Sequence, residues 1–364
     1  MTDWNNCKNI LVIRADNMGD LLMSSPAMRA LKETFDCRIT LLTSSMGNLI
    51  APFVEEIDET IVADLPWVKT KDPVDEESFS SLVENLRKAA FDGAVIFTVY
   101  SQNPLPAAML AYIAGIPKRL AYCRENPYHL LTDWMVEKEP YTFIQHQVNR
   151  DLNLVKMINA ETADEHIKIH FSETSTKKAL EKISDAGIDL EKDWLIIHPG
   201  ASETKREYPQ SLWIETGKLL RNQLNYQIII TGSAGEKEMC ENIQRGIGAR
   251  SFSMAGIFSI EELVAAISQS PLLISVNTGT AHIAAATQTP VIILYALTNP
   301  QHTPWQVPSI VLFFSVKEDL RSKNEVVNYV SQHLLNKNHD YPAPVQIVAE
   351  AKKLLHKVGH LSRF

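Results

Sequence analysis

The chain has 364 residues, 45% of them hydrophobic and 21% charged, and carries a formal net charge of -8. That length suits two domains, each burying its own core, and the composition excludes a disordered chain. The acidic balance argues against nucleic acid as a partner, while leaving room for a local basic patch facing an anionic ligand.

In chain order, "NILVI" (9–13) reads as a buried strand, followed by a loop and a helix through "MRALKETF". Pro26 inside that helix predicts a kink or a break, because proline lacks the amide hydrogen the helix needs. "RITLLT" (38–43) and "ETIVA" (59–63) are the next strands. "EESFSSLVENLRKAAF" (76–91) is helical, with Phe79, Leu82, Val83, Leu86 and Ala90 on one face, and "GAVIF" (93–97) is a strand. The alternation then restarts with the strand "WLIIH" (194–198), the helix "QSLWIETGKLLRNQL" (210–224) and the strand "YQIIITGS" (226–233). "SIEELVAAISQS" (259–270) opens with a capping-box pair, Ser259 and Glu262. "PLLISV" and "PVIILYA" are two more strands, and "PVQIVAEAKKLLHKVG" (344–359) is a terminal amphipathic helix. Such βαβα alternation predicts an α/β protein with parallel sheets covered by helices. It falls into two halves, with the boundary near residues 160–190 and the polar "NAETADEH" (159–166) opening the linker.

The four cysteines, Cys7, Cys37, Cys123 and Cys240, form no CxxC motif, which points to a reducing compartment without disulfides or a zinc site. The polar start lacks a signal-peptide core, and no apolar run reaches the roughly 18 residues a membrane span needs. A cytoplasmic location is therefore expected, with peripheral contact at the inner membrane face left open.

Two doubly wound domains place ligand at the carboxyl ends of their strands, in a cleft. Several familiar motifs are missing: no G-x-G-x-x-G follows the first strand, and there is no P-loop, D-x-D, H-E-x-x-H or G-x-S-x-G. Phosphate, if bound, would then be held by amides and basic side chains without a metal. Four stretches remain. In "VIRADNMGDLL" (12–22), Asp20 can be a helix cap or a general base on a hydroxyl, and Asp16 rivals it on spacing. In "IIHPGASETKREYP" (196–209), Ser202, Thr204, Lys205 and Arg206 suit a phosphate, or form a solvated basic loop. "TGSAGEKE" (231–238) is a small-residue turn that permits close approach. In "VNTGTAHIAAAT" (276–287), the amides of Gly279, Thr280, Ala281 and His282 at a helix start make an anion site, with hydroxyls from Thr278 and Thr280. His282 can equally be a packed structural histidine.

These segments together resemble glycosyltransferase family 9, the heptosyltransferase-like family. The resemblance is carried by "ILVIRADNMGDLLMSSPAMRALK", "LPAAMLAYIAGIPKRLAY" followed by "LLTD", "HQVNRDLNLV", "HPGASETKREYP" and "SVNTGTAHIAAATQTPVIILYALTNP", in family order over roughly residues 9 to 305. It implies a GT-B architecture, two Rossmann-like domains facing across a cleft: residues 1–165 binding the acceptor, residues 166–342 binding the nucleotide-sugar, and a terminal helix, 343–364, able to pack back on the first domain. It also implies inverting, metal-independent transfer of a sugar, a heptose by the family's habit, from a nucleoside-diphosphate donor such as ADP-heptose to a glycan, lipid-linked or small-molecule hydroxyl. No further cofactor is implied.

On the matching positions, Asp20 would be the general base, and Arg206 or its neighbour Lys205 would neutralise the diphosphate cradled by Thr278–His282. Thr231 and Gly232 would lie beside the nucleotide, and Met254 and Ala255 of "SMAG" would meet the base through backbone groups. Asn277 stands where the family usually has Asp, at the donor sugar, and "YALTNP" replaces the usual Y-G-P-T-D-P. Acceptor contacts are assigned to Arg14, Asn17, Gly19, Arg119 and Arg124, with Lys118 as a further cation. The rival readings are a sugar-nucleotide epimerase of the same fold and a non-catalytic nucleotide-sugar-binding protein.

Overall fold

The computed structural model describes residues 2–68, 73–335 and 338–361. The chain divides into two compact units, Met1–Lys168 and Ile169–Phe364. The division falls after Lys168, where the sequence reading placed it after Glu165.

The first unit runs β1 (Asn9–Ile13), α1 (Met18–Phe35), β2 (Arg38–Thr43), α2 (Ser45–Asn48), β3 (Glu59–Val62), α3 (Glu76–Lys88), β4 (Gly93–Ile96), α4 (Leu105–Ile113), β5 (Lys118–Cys123), β6 (Asp133–Val136) and α5 (Gln147–Lys156). Its described strands form one six-stranded sheet in the order β3-β2-β1-β4-β5-β6, every neighbouring pair parallel. Leu11, Ile13, Leu42, Ile96 and Ala121 supply the core on one face, with Leu82, Val83 and Leu86 of α3 packed against them. Strands buried on both faces read as unbroken apolar runs, which is why "NILVI" and "RITLLT" were legible.

Helix α1 is continuous through Pro26. The expected break is absent because the carbonyl that proline leaves without an amide, that of Leu22, accepts a hydrogen bond from the Ser25 hydroxyl at 2.8 Å instead. At the other end Asn17 and Asp20 form a reciprocal capping box.

The second unit runs α6 (Glu173–Asp185), β7 (Trp194–His198), α7 (Gln210–Leu224), β8 (Gln227–Ile230), α8 (Lys237–Ile247), β9 (Ser251–Ser253), α9 (Ile260–Gln269), β10 (Leu273–Val276), α10 (Gly279–Ala286), β11 (Val291–Ala296), β12 (Ser309–Phe314), α11 (Glu325–His333) and α12 (Pro344–Leu361). Its sheet order is β12-β11-β10-β7-β8-β9, again parallel throughout. Counting each unit's strands from its own start, both sheets have the doubly wound order 3-2-1-4-5-6. The order reverses between β1 and β4 in the first unit and between β7 and β10 in the second. Helix α12, set apart in the sequence reading as a segment able to pack back on the first domain, belongs to the core of the second unit. Its Ile347, Val348, Ala351 and Leu354 join Trp213, Leu220, Ile292 and Phe314 there.

Candidate functional site

In the first unit, β1 ends at Ile13 and the next residue, Arg14, is fully buried. Its Nε lies 3.3 Å from Asp16 and its Nη2 3.3 Å from Asp20. The other Asp20 oxygen accepts the Asn17 amide at 3.3 Å. The cap reading of Asp20 is thus realised, and the same carboxylate still reaches the surface, 13% exposed, at the carboxyl edge of the sheet. Asp16 is spent differently. It accepts from Gln102 Nε2 at 2.5 Å, and Gln102 Oε1 accepts the Val99 amide at 3.0 Å, tying Asp16 to the loop after β4. Burial raises the Asp16 carboxyl above the ordinary aspartate value, Arg14 pulls it down, and Asp20 pushes it up again.

Three carboxylates surround Arg14, the third being Asp151 on α5. Asp151 is buried, accepts from the Ser24 hydroxyl at 2.7 Å and from Gln147 Nε2 at 2.8 Å, and burial pushes its carboxyl up to about 6. Its neighbour Arg150 is also fully buried. It pairs with Glu137 and, at 2.8 Å, with Glu139, donates to the Thr98 carbonyl at 2.8 Å, and lies 4.0 Å over the Tyr122 ring. The sequence reading gave this cluster no role, although two adjacent charges among Val148, Leu154 and Val155 are a visible anomaly on a helix face.

The acceptor assignments fare unevenly. Arg14 has no exposed surface and two carboxylates on its guanidinium, a geometry that fits orienting Asp20 better than meeting an acceptor anion. Arg119 is the second residue of strand β5, at the opposite end of the sheet from Asp20, and its guanidinium donates to the carbonyls of Leu130 at 2.7 Å, His129 at 2.8 Å and Ile116. Lys118 beside it reaches Cys7 Sγ at 3.3 Å. Gly19 is buried in the first turn of α1, and Asn17 is the exposed cap. Arg124 lies just past the carboxyl end of β5, exposed, with one Nη held by the carbonyls of Tyr100 and Glu139 at 3.0 and 2.8 Å.

In the second unit the equivalent position follows β7. His198 at its end is turned inward, its Nδ1 2.9 Å from the Thr231 hydroxyl, and burial lowers its pKa against the pull of Glu236. Thr231, expected beside the nucleotide, is 1% exposed with its hydroxyl on His198, and so supports the strand end. Gly232 lies at the turn, and its carbonyl accepts the Gly256 amide at 2.9 Å, while the Met254 amide donates to Ile230 at 2.8 Å. The "TGS" and "SMAG" segments are thereby joined side by side, with the side chains of Met254 and Ala255 facing the core. Glu236 was missed. Its carboxylate takes the amide and hydroxyl of Ser233 at 2.6 and 2.8 Å, and a Cβ at Gly200 would lie only 2.2 Å from it. The glycine of "HPG" is needed for that close approach, and the Ser-x-x-Glu spacing at 233–236 was the available signal.

The basic loop folds into a 3-10 turn, Thr204–Arg206. Lys205 pairs with Glu203 at 3.2 Å and lines a cavity of about 340 Å³ with Tyr208, Lys317 and Tyr341. Arg206 pairs with Glu203 at 3.1 Å and also donates Nη1 to the carbonyl of Asn277 at 3.4 Å, while its Nε has no hydrogen-bond partner. Of the two cations it is Arg206 that reaches the start of α10. There no side chain caps the first turn, because the Thr278 hydroxyl pairs with that of Thr280 at 2.9 Å. Without a side-chain cap, amides of that turn are left for a ligand, although that of Ala281 donates back to the Thr278 carbonyl at 3.1 Å. His282 in that turn is 5% exposed, with its ring edge-on to His302, centroids 6.4 Å apart. Asn277 is turned away from a ligand: Oδ1 accepts the Ala296 amide at 3.2 Å, and Nδ2 donates to the Ala296 carbonyl at 3.4 Å and the Thr298 hydroxyl at 3.2 Å.

The model of glycosyltransferase family 9 (heptosyltransferase) matches residues 79–329, more than half of the chain. Lipopolysaccharide heptosyltransferase 2 of Salmonella typhimurium is 24% identical over 303 residues, covering 81% of this chain and 84% of the relative. Among solved structures, a family 9 glycosyl transferase from Veillonella parvula superposes with a TM-score of 0.76 at 18% identity, covering 96% of this chain and 97% of that one. The E. coli ADP-heptose LPS heptosyltransferase II gives 0.71 at 20% identity, covering 96% and 99%. The fold is GT-B-like. The chain belongs to glycosyltransferase family 9, the heptosyltransferases, and is a glycosyltransferase.

Proposed function

We propose that the chain moves a heptose from ADP-heptose to a hydroxyl of a lipopolysaccharide-type glycan, with inversion and without a metal. The observation that carries this reading is the uncapped start of α10 meeting Arg206 at the point where the second sheet reverses its order. Amides and a guanidinium converging there suit the diphosphate of a nucleotide-sugar. The second unit holds the donor and the first holds the acceptor.

Asp20 takes the proton of the acceptor hydroxyl as that oxygen attacks the anomeric carbon. The bond from that carbon to the diphosphate oxygen breaks, and ADP leaves with the electron pair. The charge developing on it is met by the α10 amides and Arg206, groups fixed before the reaction begins. Arg14 holds Asp20 in place. Asp20 is preferred to Asp16 because Gln102 already occupies Asp16.

The test is a product assay with ADP-heptose and a heptose-deficient lipopolysaccharide acceptor. ADP release that depends on the acceptor, with a heptosylated product, is expected. Conversion of the sugar-nucleotide without acceptor would favour the epimerase reading. Binding without turnover on any hydroxyl acceptor would favour the non-catalytic one.

A further inference from the structure

Residue 277 is where three parts of the diphosphate cradle meet. Strand β10 ends at Val276, paired with Leu294, while β11 continues to Ala296, paired with Phe314 of β12. Past Val276 the main chain turns to start α10, with the Thr278 amide bonded back to the Val276 carbonyl at 2.9 Å. The ladder to the end of β11 therefore has no main-chain partner on that side, and the Asn277 side chain supplies one. Its amide brackets the Ala296 peptide, accepting from N–H at 3.2 Å and donating to C=O at 3.4 Å, and reaches Thr298 at 3.2 Å. The main-chain carbonyl of the same residue takes Arg206 Nη1 at 3.4 Å. Only one orientation of the amide satisfies both Ala296 groups, so the oxygen and nitrogen are fixed by their partners. A carboxylate could accept from the Ala296 amide but would set an oxygen against the Ala296 carbonyl with no hydrogen between them. Asparagine is thus fitted to the "ALT" segment that follows β11.

We infer that Asn277 is a positioning residue, and not a reader of the donor sugar. It fastens residues 296–298 to the first turn of α10 and, through its carbonyl, sets Arg206 over that turn. This rests on the nucleotide-sugar reading above and deepens it: residue 277 serves the nucleoside diphosphate part of the donor, whichever sugar is attached.

Calorimetry with ADP, which carries no sugar, and with ADP-heptose separates the two roles. Asn277→Ala weakens both ligands by the same factor, about tenfold, as expected for the loss of one bidentate polar contact. kcat at saturating donor falls as well, since the Arg206 that Asn277 positions meets charge that develops only in the transition state. Exchange of the Ala296 amide hydrogen quickens in the variant. Thr298→Val keeps both bonds from Asn277 to Ala296 but removes the hydroxyl that accepts from Asn277 and donates to the Ala296 carbonyl; it weakens both ligands equally, by about threefold, and carries the comparison alone if Asn277→Ala does not fold. Unchanged ADP affinity with weakened ADP-heptose affinity overturns the inference, because that is what a sugar reader gives. Unchanged affinity for both overturns it as well. A wild-type protein that does not bind ADP overturns the nucleotide-sugar reading and this inference with it.

Discussion

Replacing Asp20 with Asn separates the chemical role of this carboxylate from its structural ones. The structural work is modest. The Asn17 amide, 3.3 Å from one oxygen, can still find the carbonyl oxygen of the new amide, so most of the cap survives. Arg14 loses one ion-pair partner at 3.3 Å but keeps Asp16 and the field of Asp151. A buried cation stripped of its only partner costs about 3–5 kcal/mol. With two carboxylates remaining, about 1–2 kcal/mol is expected, a melting shift of a few degrees. The chemical loss is larger. A positioned general base contributes roughly 10²–10⁴ in rate, or about 3–5 kcal/mol of barrier. Initial rates of ADP release at 25 °C, with ADP-heptose and acceptor both saturating, should therefore fall at least 100-fold while donor affinity by calorimetry is unchanged. Turnover within about fivefold of wild type would refute Asp20 as the base. So would a large loss in Asp16→Asn paired with a small one here, which would transfer the role to Asp16.

Arg206→Met should weaken ADP by about 10- to 100-fold, as expected for a charge-assisted contact, whereas Lys205→Met should change it less than about threefold; equal effects would undo the choice between them. Arg119→Met should lower the melting temperature, through three carbonyls left without their donor, at about 2–3 kcal/mol, and leave the acceptor KM unchanged. A raised acceptor KM would restore its place in the site. Asp151 gives a pH dependence with a definite sign. Its folded value near 6 lies above the ordinary 3.8, so the folded state holds the proton more tightly and this group costs stability as pH rises from about 4 to 6. Asp151→Asn removes that cost, so the variant should gain relative to wild type over this interval by up to about 3 kcal/mol, and the gain should persist above pH 6. Melting curves whose difference is flat from pH 4 to 7 would contradict the burial of an ionisable carboxyl there.

The strands at the two switch points were legible because parallel strands covered on both faces leave long apolar runs, as in "NILVI", "WLIIH" and "PLLISV". Helix α7 and the Ser259–Glu262 cap were legible from periodicity and from capping chemistry. What was missed has physical reasons. Strand β5 opens with Lys118 and Arg119, whose charges hide a strand, and α4, "LPAAMLAYI", is apolar all round and shows no amphipathic period. Strand β9 has only three residues. In the site, residue types and the family resemblance singled out Asp20, Arg206 and the α10 start as candidates, but the sequence could not tell which polar atoms are already used. Arg14 and Arg119, assigned from positive charge, and Thr231 and Asn277, assigned from the family resemblance, each make polar contacts within the protein itself.

Among the described residues each sheet has its own six strands and neither borrows one from the other half. The two halves can therefore diverge as interchangeable cassettes. Grafting the first half of a relative ahead of residue 169 should redirect the enzyme to that relative's acceptor without disturbing the grip on ADP. The graft must retain α12 at the far end of the chain, since Ile347, Val348, Ala351 and Leu354 close the core of the second half. On the proposed division of labour, new glycan products are reached by exchanging the first half alone.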